Sequence, residues 1–136
     1  MGKTRLAIVL FWLLAAGMVR GSIYTVSNTN DAGIGSLRQA ITDANGNSGY
    51  DEIRFTITNP PPFVIRPATA LPSLSDAAII DGTTQPGYAT NGPVVYIDGS
   101  PNVGIGIQCA GNTIRALGIT RSTQEGIYVN AHSNIV

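Results

Sequence analysis

The chain has 136 residues, enough for one domain, with eight basic and eight acidic side chains and a formal charge of zero. That balance removes any electrostatic case for nucleic acid or an anionic membrane surface as partner. The single cysteine, Cys109, excludes an intramolecular disulfide framework and a cysteine-based metal cluster.

In chain order, Lys3 and Arg5 form a positive start, and Leu6 to Ala16 is an unbroken apolar run. The run suits the core of a signal peptide and is short for a membrane span of roughly 20 residues. An uncleaved N-terminal anchor is the competing reading. Cleavage fits after Gly21, with Val19 two residues earlier, or after Gly17, with Ala15 two residues earlier. The expected division is a signal peptide over 1–21 and an exported domain over 22–136. Loss of Lys3, Arg5 and Arg20 makes that domain mildly acidic. Met1-Gly2 lacks the Ser or Thr that myristoylation wants at position 6, and Gly2-Lys3-Thr4 has no strand or glycine loop before it. The chain has no Asn-x-Ser/Thr sequon.

Ile23 to Val26 reads as a first strand, and Asn28 to Gly35 as a polar turn. Residues 33–45 then carry the one convincing helix. Ser36 and Gln39 have capping-box spacing, in which each side chain satisfies an orphan backbone N–H. Leu37, Ala40, Ile41 and Ala44 make one apolar stripe. Asn45-Gly46 predicts a stop, since both tolerate the left-handed conformation. Such a helix needs something to cover, and the expectation is the open end of a β-solenoid.

Ile53, Phe55 and Ile57 alternate with Arg54 and Thr56, a strand pattern broken at Asn59-Pro60-Pro61-Pro62. Phe63 to Ile65 and Val94 to Ile97 are further strands; between them Leu71, Leu74, Ile79 and Ile80 make short apolar pieces split by Pro72 and Ser73, with Asp81-Gly82 closing the pieces and Asp98-Gly99 the last strand. The C-terminal third repeats: Ile105 and Ile107 recur as Ile127 and Val129, Asn112 recurs as Asn134, and Val95 and Ile97 map onto Leu117 and Ile119. Stacked strands with an asparagine amide ladder at Asn112 and Asn134 are the solenoid reading of this repeat. It places Ile79 beside Ile105, with extra residues bulging in the loop 82–93. A chance match is the alternative, with an all-β sandwich as the competing architecture.

The stretches Tyr24–Asp31, Gly35–Ile41 with Asp43-Ala44-Asn45, Ile80–Tyr88 and Gly111–Ile119 resemble the N-terminal module of secreted bacterial right-handed parallel β-helix repeat proteins. The resemblance implies an all-β, right-handed parallel β-helix with a short N-terminal capping helix, and it implies export. Members are mostly cell-surface or secreted proteins, and others with that fold bind or cleave polysaccharides. Because Val136 falls within a repeat, further coils are expected in the full protein. Ile127, Val129 and Ile135 would then contact the remainder of a longer chain or mediate self-association.

The candidate chemistry is sparse. Asp81 and Asp98, each between Ile and Gly, would face outward at strand ends as a Ca²⁺-binding or acid–base pair, against the plainer reading of Asp-Gly turn chemistry. Arg115, Arg121 and Glu125 are too few for a lyase surface. Arg38 reads as a side chain whose stem packs over the helix edge. His132 lacks a ligand partner at metal spacing and reads as a solvated turn residue. Cys109 reads as a small buried residue in a strand, with an intermolecular disulfide as its alternative. Tyr88 and Tyr96 are candidate exposed aromatics for sugar stacking. The function expected is an exported, non-enzymatic surface, adhesion or structural module, with no cofactor beyond a weak Ca²⁺ candidacy and a polysaccharide or cell-surface ligand as partner. The N-terminal part of a carbohydrate-active enzyme is the alternative.

Overall fold

The computed structural model describes residues 20–100, 104–123 and 125–136. The apolar run and the residues Ala15, Gly17 and Val19 of the two cleavage patterns lie outside the described residues. Among the described residues no helix is long and apolar enough to cross a membrane.

Strand β1 (Ile23–Val26) leads to helix α1 (Leu37–Asn45). Eight short strands follow: β2 (Asp51–Phe55), β3 (Phe63–Ile65), β4 (Ala78–Asp81), β5 (Val95–Asp98), β6 (Ile105–Ile107), β7 (Thr113–Arg115), β8 (Leu117–Thr120) and β9 (Ile127–Val129). A 3₁₀ turn at Gly82–Thr84 follows β4 directly.

Helix α1 begins because Ser36 is extended and its Oγ accepts the Gln39 N–H at 3.2 Å. The reciprocal half of the expected capping box is absent. The Ser36 N–H already bonds Gly33 O, so the Gln39 amide turns to Asp43 Oδ1 at 2.7 Å instead. The helix stops at Asn45-Gly46 as expected, but not through a left-handed residue. Gly46 is right-handed, with φ −89°, and its N–H bonds the carbonyls of Thr42 and Asp43. Leu37, Ala40, Ile41 and Ala44 are buried, and α1 packs on β1 and β2. Asn45 fixes the helix end to the following segment, donating to Ser73 O and accepting from Ser75 N, both at 2.8 Å.

All pairing between named strands is parallel, in three sheets ordered β1-β2-β4-β7, β3-β5-β8 and β6-β9. The expectation of an all-β parallel β-helix solenoid is corrected by this arrangement. The strands make three small separate sheets with one helix between β1 and β2, and no closed or curled sheet is found among the described residues. Nor is the spacing regular. Equivalent positions step by 29 residues from Ser22 to Asp51, by 34 from Ala78 to Asn112, and by 22 from Asn112 to Asn134. Ile105 pairs with Ile127 and Ile107 with Val129, while Val95 and Ile97 pair with Leu117 and Ile119. The expected pairing of Ile79 with Ile105 is corrected: Ile79 pairs with Thr113, and β6 lies between Leu74 and β9. The core is mostly aliphatic around the aromatic ring of Phe55, and is built from inward positions such as Val26, Ile53, Ile80, Ile97 and Ile105.

One column of hydrogen bonds runs along the starts of the four-stranded sheet's strands. Ser22 N–H donates to Asp51 Oδ1 at 2.6 Å, Ala78 N–H to Asn112 Oδ1 at 2.9 Å, and Asn112 N–H to Asn134 Oδ1 at 2.7 Å. This replaces the expected amide-to-amide ladder. The amide nitrogens of Asn112 and Asn134 turn back to the carbonyls of Cys109 and Ala131, leaving each Oδ1 for a neighbouring backbone N–H.

Candidate functional site

Several of the charged groups stand at or just beyond strand ends. Asp81, last in β4, and Asp98, last in β5, are 2 % and 4 % exposed, so the outward-facing carboxylates expected from sequence are corrected to buried ones. A strand-end carboxylate one residue beyond an inward isoleucine can be buried because a neighbouring strand supplies its counter-charge. In the four-stranded sheet Arg54, Asp81 and Arg115 are successive register partners. Asp81 Oδ2 accepts from Arg115 at 2.5 Å, and its Oδ1 caps the 3₁₀ turn by accepting from Thr83 N–H at 3.0 Å and Thr83 Oγ1 at 2.6 Å. Arg54 Nε lies 2.7 Å from Glu52.

In the three-stranded sheet Asp98 Oδ1 accepts from Arg121 Nε at 3.0 Å and from Ser100 N–H at 3.3 Å. Asp98 Oδ2 takes the other arm of the Arg121 fork, and Arg66 stands 3.5 Å away. This two-point fork is the strong arginine–carboxylate geometry. Asp81 and Asp98 belong to different sheets and share no ion-pair partner.

These surroundings set the protonation. Burial pushes the Asp81 carboxyl up, but the hydrogen bonds from Arg115 and from Thr83 together hold it below the usual value. Hydrogen bonding by Arg121 is the main force holding Asp98 down, against a smaller effect of burial. Both arginines are pushed upward in return. A general acid needs a carboxyl raised toward neutrality. These two are displaced the other way, with their oxygens engaged by donors.

The remaining singled-out residues separate. Arg38 does more than pack its stem: its guanidinium bonds Asp31 Oδ1 and the carbonyls of Asp31, Thr69 and Ala70 at 2.6–3.2 Å. Cys109 follows β6 in a bend, half-buried, with its Sγ 3.0 Å from the Asn112 amide nitrogen. His132 is exposed in a bend. Tyr88 and Tyr96 are half-buried, and the Tyr96 ring lies so close over Gly118 that a Cβ there would meet it at 2.3 Å. The exposed tyrosines are Tyr50 and Tyr128. Clefts of about 290 and 200 Å³ open beside β7–β9 and beside β6. The first is mostly apolar, and its one charged side chain is the paired Arg115. Among the described residues no three His, Cys, Asp or Glu side chains gather as a metal site.

Sequence reasoning missed two buried polar groups. Gln85 accepts from Ile57 N–H at 2.8 Å and donates to Ile57 O at 3.1 Å, so its amide stands in for a strand beside β2. Asp51 is fully buried at the first position of β2. Its only sequence signal is its place before an alternating apolar run. No family model and no curated protein matches the chain.

Proposed function

We propose that the chain is an exported, non-enzymatic module, a structural or adhesion-type scaffold whose exposed loops meet a polysaccharide or cell-surface ligand. The observation that carries this reading is the use made of charge. Each arginine from Arg38 to Arg121 lies within ion-pair distance of a carboxylate, and the strand-end acids suited to acid–base or Ca²⁺ chemistry tie one strand to the next. The apolar run behind Lys3 and Arg5 supports export.

Two measurements test the two halves of the reading. A tagged chain expressed in a bacterial host is expected in the exported or surface fraction, and retention in the cytoplasm overturns export. The purified protein, incubated with pectin or alginate with and without Ca²⁺, is expected to release no new reducing ends and no unsaturated sugar. Ca²⁺-dependent depolymerisation would replace the scaffold reading with that of a carbohydrate-active enzyme.

A further inference from the structure

We propose that the exported chain begins at Ser22 and that its new α-ammonium group forms a buried ion pair with Asp51. The proposal rests on the export reading and adds the site of processing and the group that receives the new terminus.

The column of strand-start hydrogen bonds supplies an internal control. At two rungs a backbone N–H is capped by an asparagine, Asn112 or Asn134, whose own amide nitrogen is satisfied three residues back. A neutral acceptor therefore suffices for an ordinary peptide N–H. The rung facing Ser22 carries Asp51 instead. Its Oδ1 accepts from Ser22 N–H at 2.6 Å and from the Asn47 amide at 2.8 Å. Its Oδ2 is buried with no hydrogen-bond partner among the described residues. A buried carboxylate with an empty oxygen and no cation beside it is costly. None of the ion pairs among the described residues involves Asp51.

Cleavage between Gly21 and Ser22 supplies what is missing. Water adds across the peptide bond, the C–N bond breaks, Gly21 leaves as a carboxylate, and the Ser22 nitrogen takes up a proton to become an ammonium. The nitrogen already at 2.6 Å from Oδ1 then carries a positive charge and three N–H donors, one of which can serve Oδ2. Gly21 and Val19 are the small residues that a signal-type peptidase takes one and three positions before its cut. The cut is made on the extended chain, and the ion pair forms on folding.

The test uses the full coding sequence. Intact mass and N-terminal sequencing of the exported protein are expected to give Ser22 first. An exported protein that starts at Met18 or any other residue overturns this inference and leaves export standing, whereas an uncut cytoplasmic chain overturns export itself. Asp51→Asn is then compared in two forms, the processed protein and the uncut chain made in a lysate without membranes. The melting temperature is expected to fall by about 4 °C or more beyond the fall seen in the uncut chain, as loss of an extra ion pair implies. Equal falls overturn the pairing. The third measurement needs no variant. Cyanate should carbamoylate the Ser22 amine of the folded processed protein about tenfold more slowly than that of the urea-unfolded protein, because a paired ammonium is a poor nucleophile. Equal rates overturn the pairing too.

Discussion

At the scale of the residue, Asp98 shows how this chain uses charge. Arg66 and Arg121 reach it from the ends of the two strands that flank β5, so the carboxylate joins three neighbouring strand ends. In the four-stranded sheet Asp81 and Arg115 join two neighbouring strand ends. Asp31, Asp81 and Asp98 are all held below the ordinary carboxyl value, the first mainly by its hydrogen bond with Arg38. A carboxyl lowered by folding adds stability that is fully present above its unfolded value of about 3.9 and is lost as pH falls through the folded value. The urea midpoint is therefore expected to stay level from neutral pH down to about 5 and to drop below about 4. Asp98→Asn should flatten part of that drop. A midpoint independent of acid would contradict the lowered carboxyls. These pairs were not legible in the sequence: Arg121 lies 23 residues from Asp98 and Arg115 lies 34 from Asp81, and no local pattern joins them.

At the scale of the element, legibility followed how local the cause was. The stripe Leu37, Ala40, Ile41 and Ala44 lies within one helix, so its buried face could be read from spacing alone. The partner of Gln39 could not, because a turn at Gly33 had already satisfied the Ser36 N–H. Pairing Ile79 with Ile105 matched like residues and failed. The register there is set by the rung from Ala78 to Asn112, which places Ile79 beside Thr113. The sequence of the segment after Asp81 predicts a bulging loop, yet its first residues complete the neighbouring strand. Thr84 Oγ1 accepts from Phe55 N–H, and Gln85 bonds both backbone groups of Ile57. Gln85→Ala is expected to strand an N–H and a carbonyl in a buried position, at about 1–3 kcal/mol for each group. Equilibrium urea unfolding checks this, and a loss under about 0.5 kcal/mol would mean that the two groups find other partners.

At the scale of the molecule, the dominant feature is that every pair among the nine strands is parallel. A two-residue turn cannot join parallel neighbours, so no strand can find its partner by a hairpin. Between the named strands of the described residues the closest paired positions are 22 residues apart, and others stand 29 or 34 apart. Contacts that distant close large loops before they return any stabilisation, which makes the folding reaction slow. Refolding after dilution from urea, followed by far-ultraviolet circular dichroism, is expected on the order of milliseconds to seconds or longer. A microsecond phase carrying the whole amplitude would contradict this. Slow self-assembly would suit passage through a narrow translocation channel, if the chain is exported as proposed. Its described strands have no near neighbour to snap against, so on that proposal the polypeptide would stay threadable until most of it had emerged, and the fold would complete on the far side.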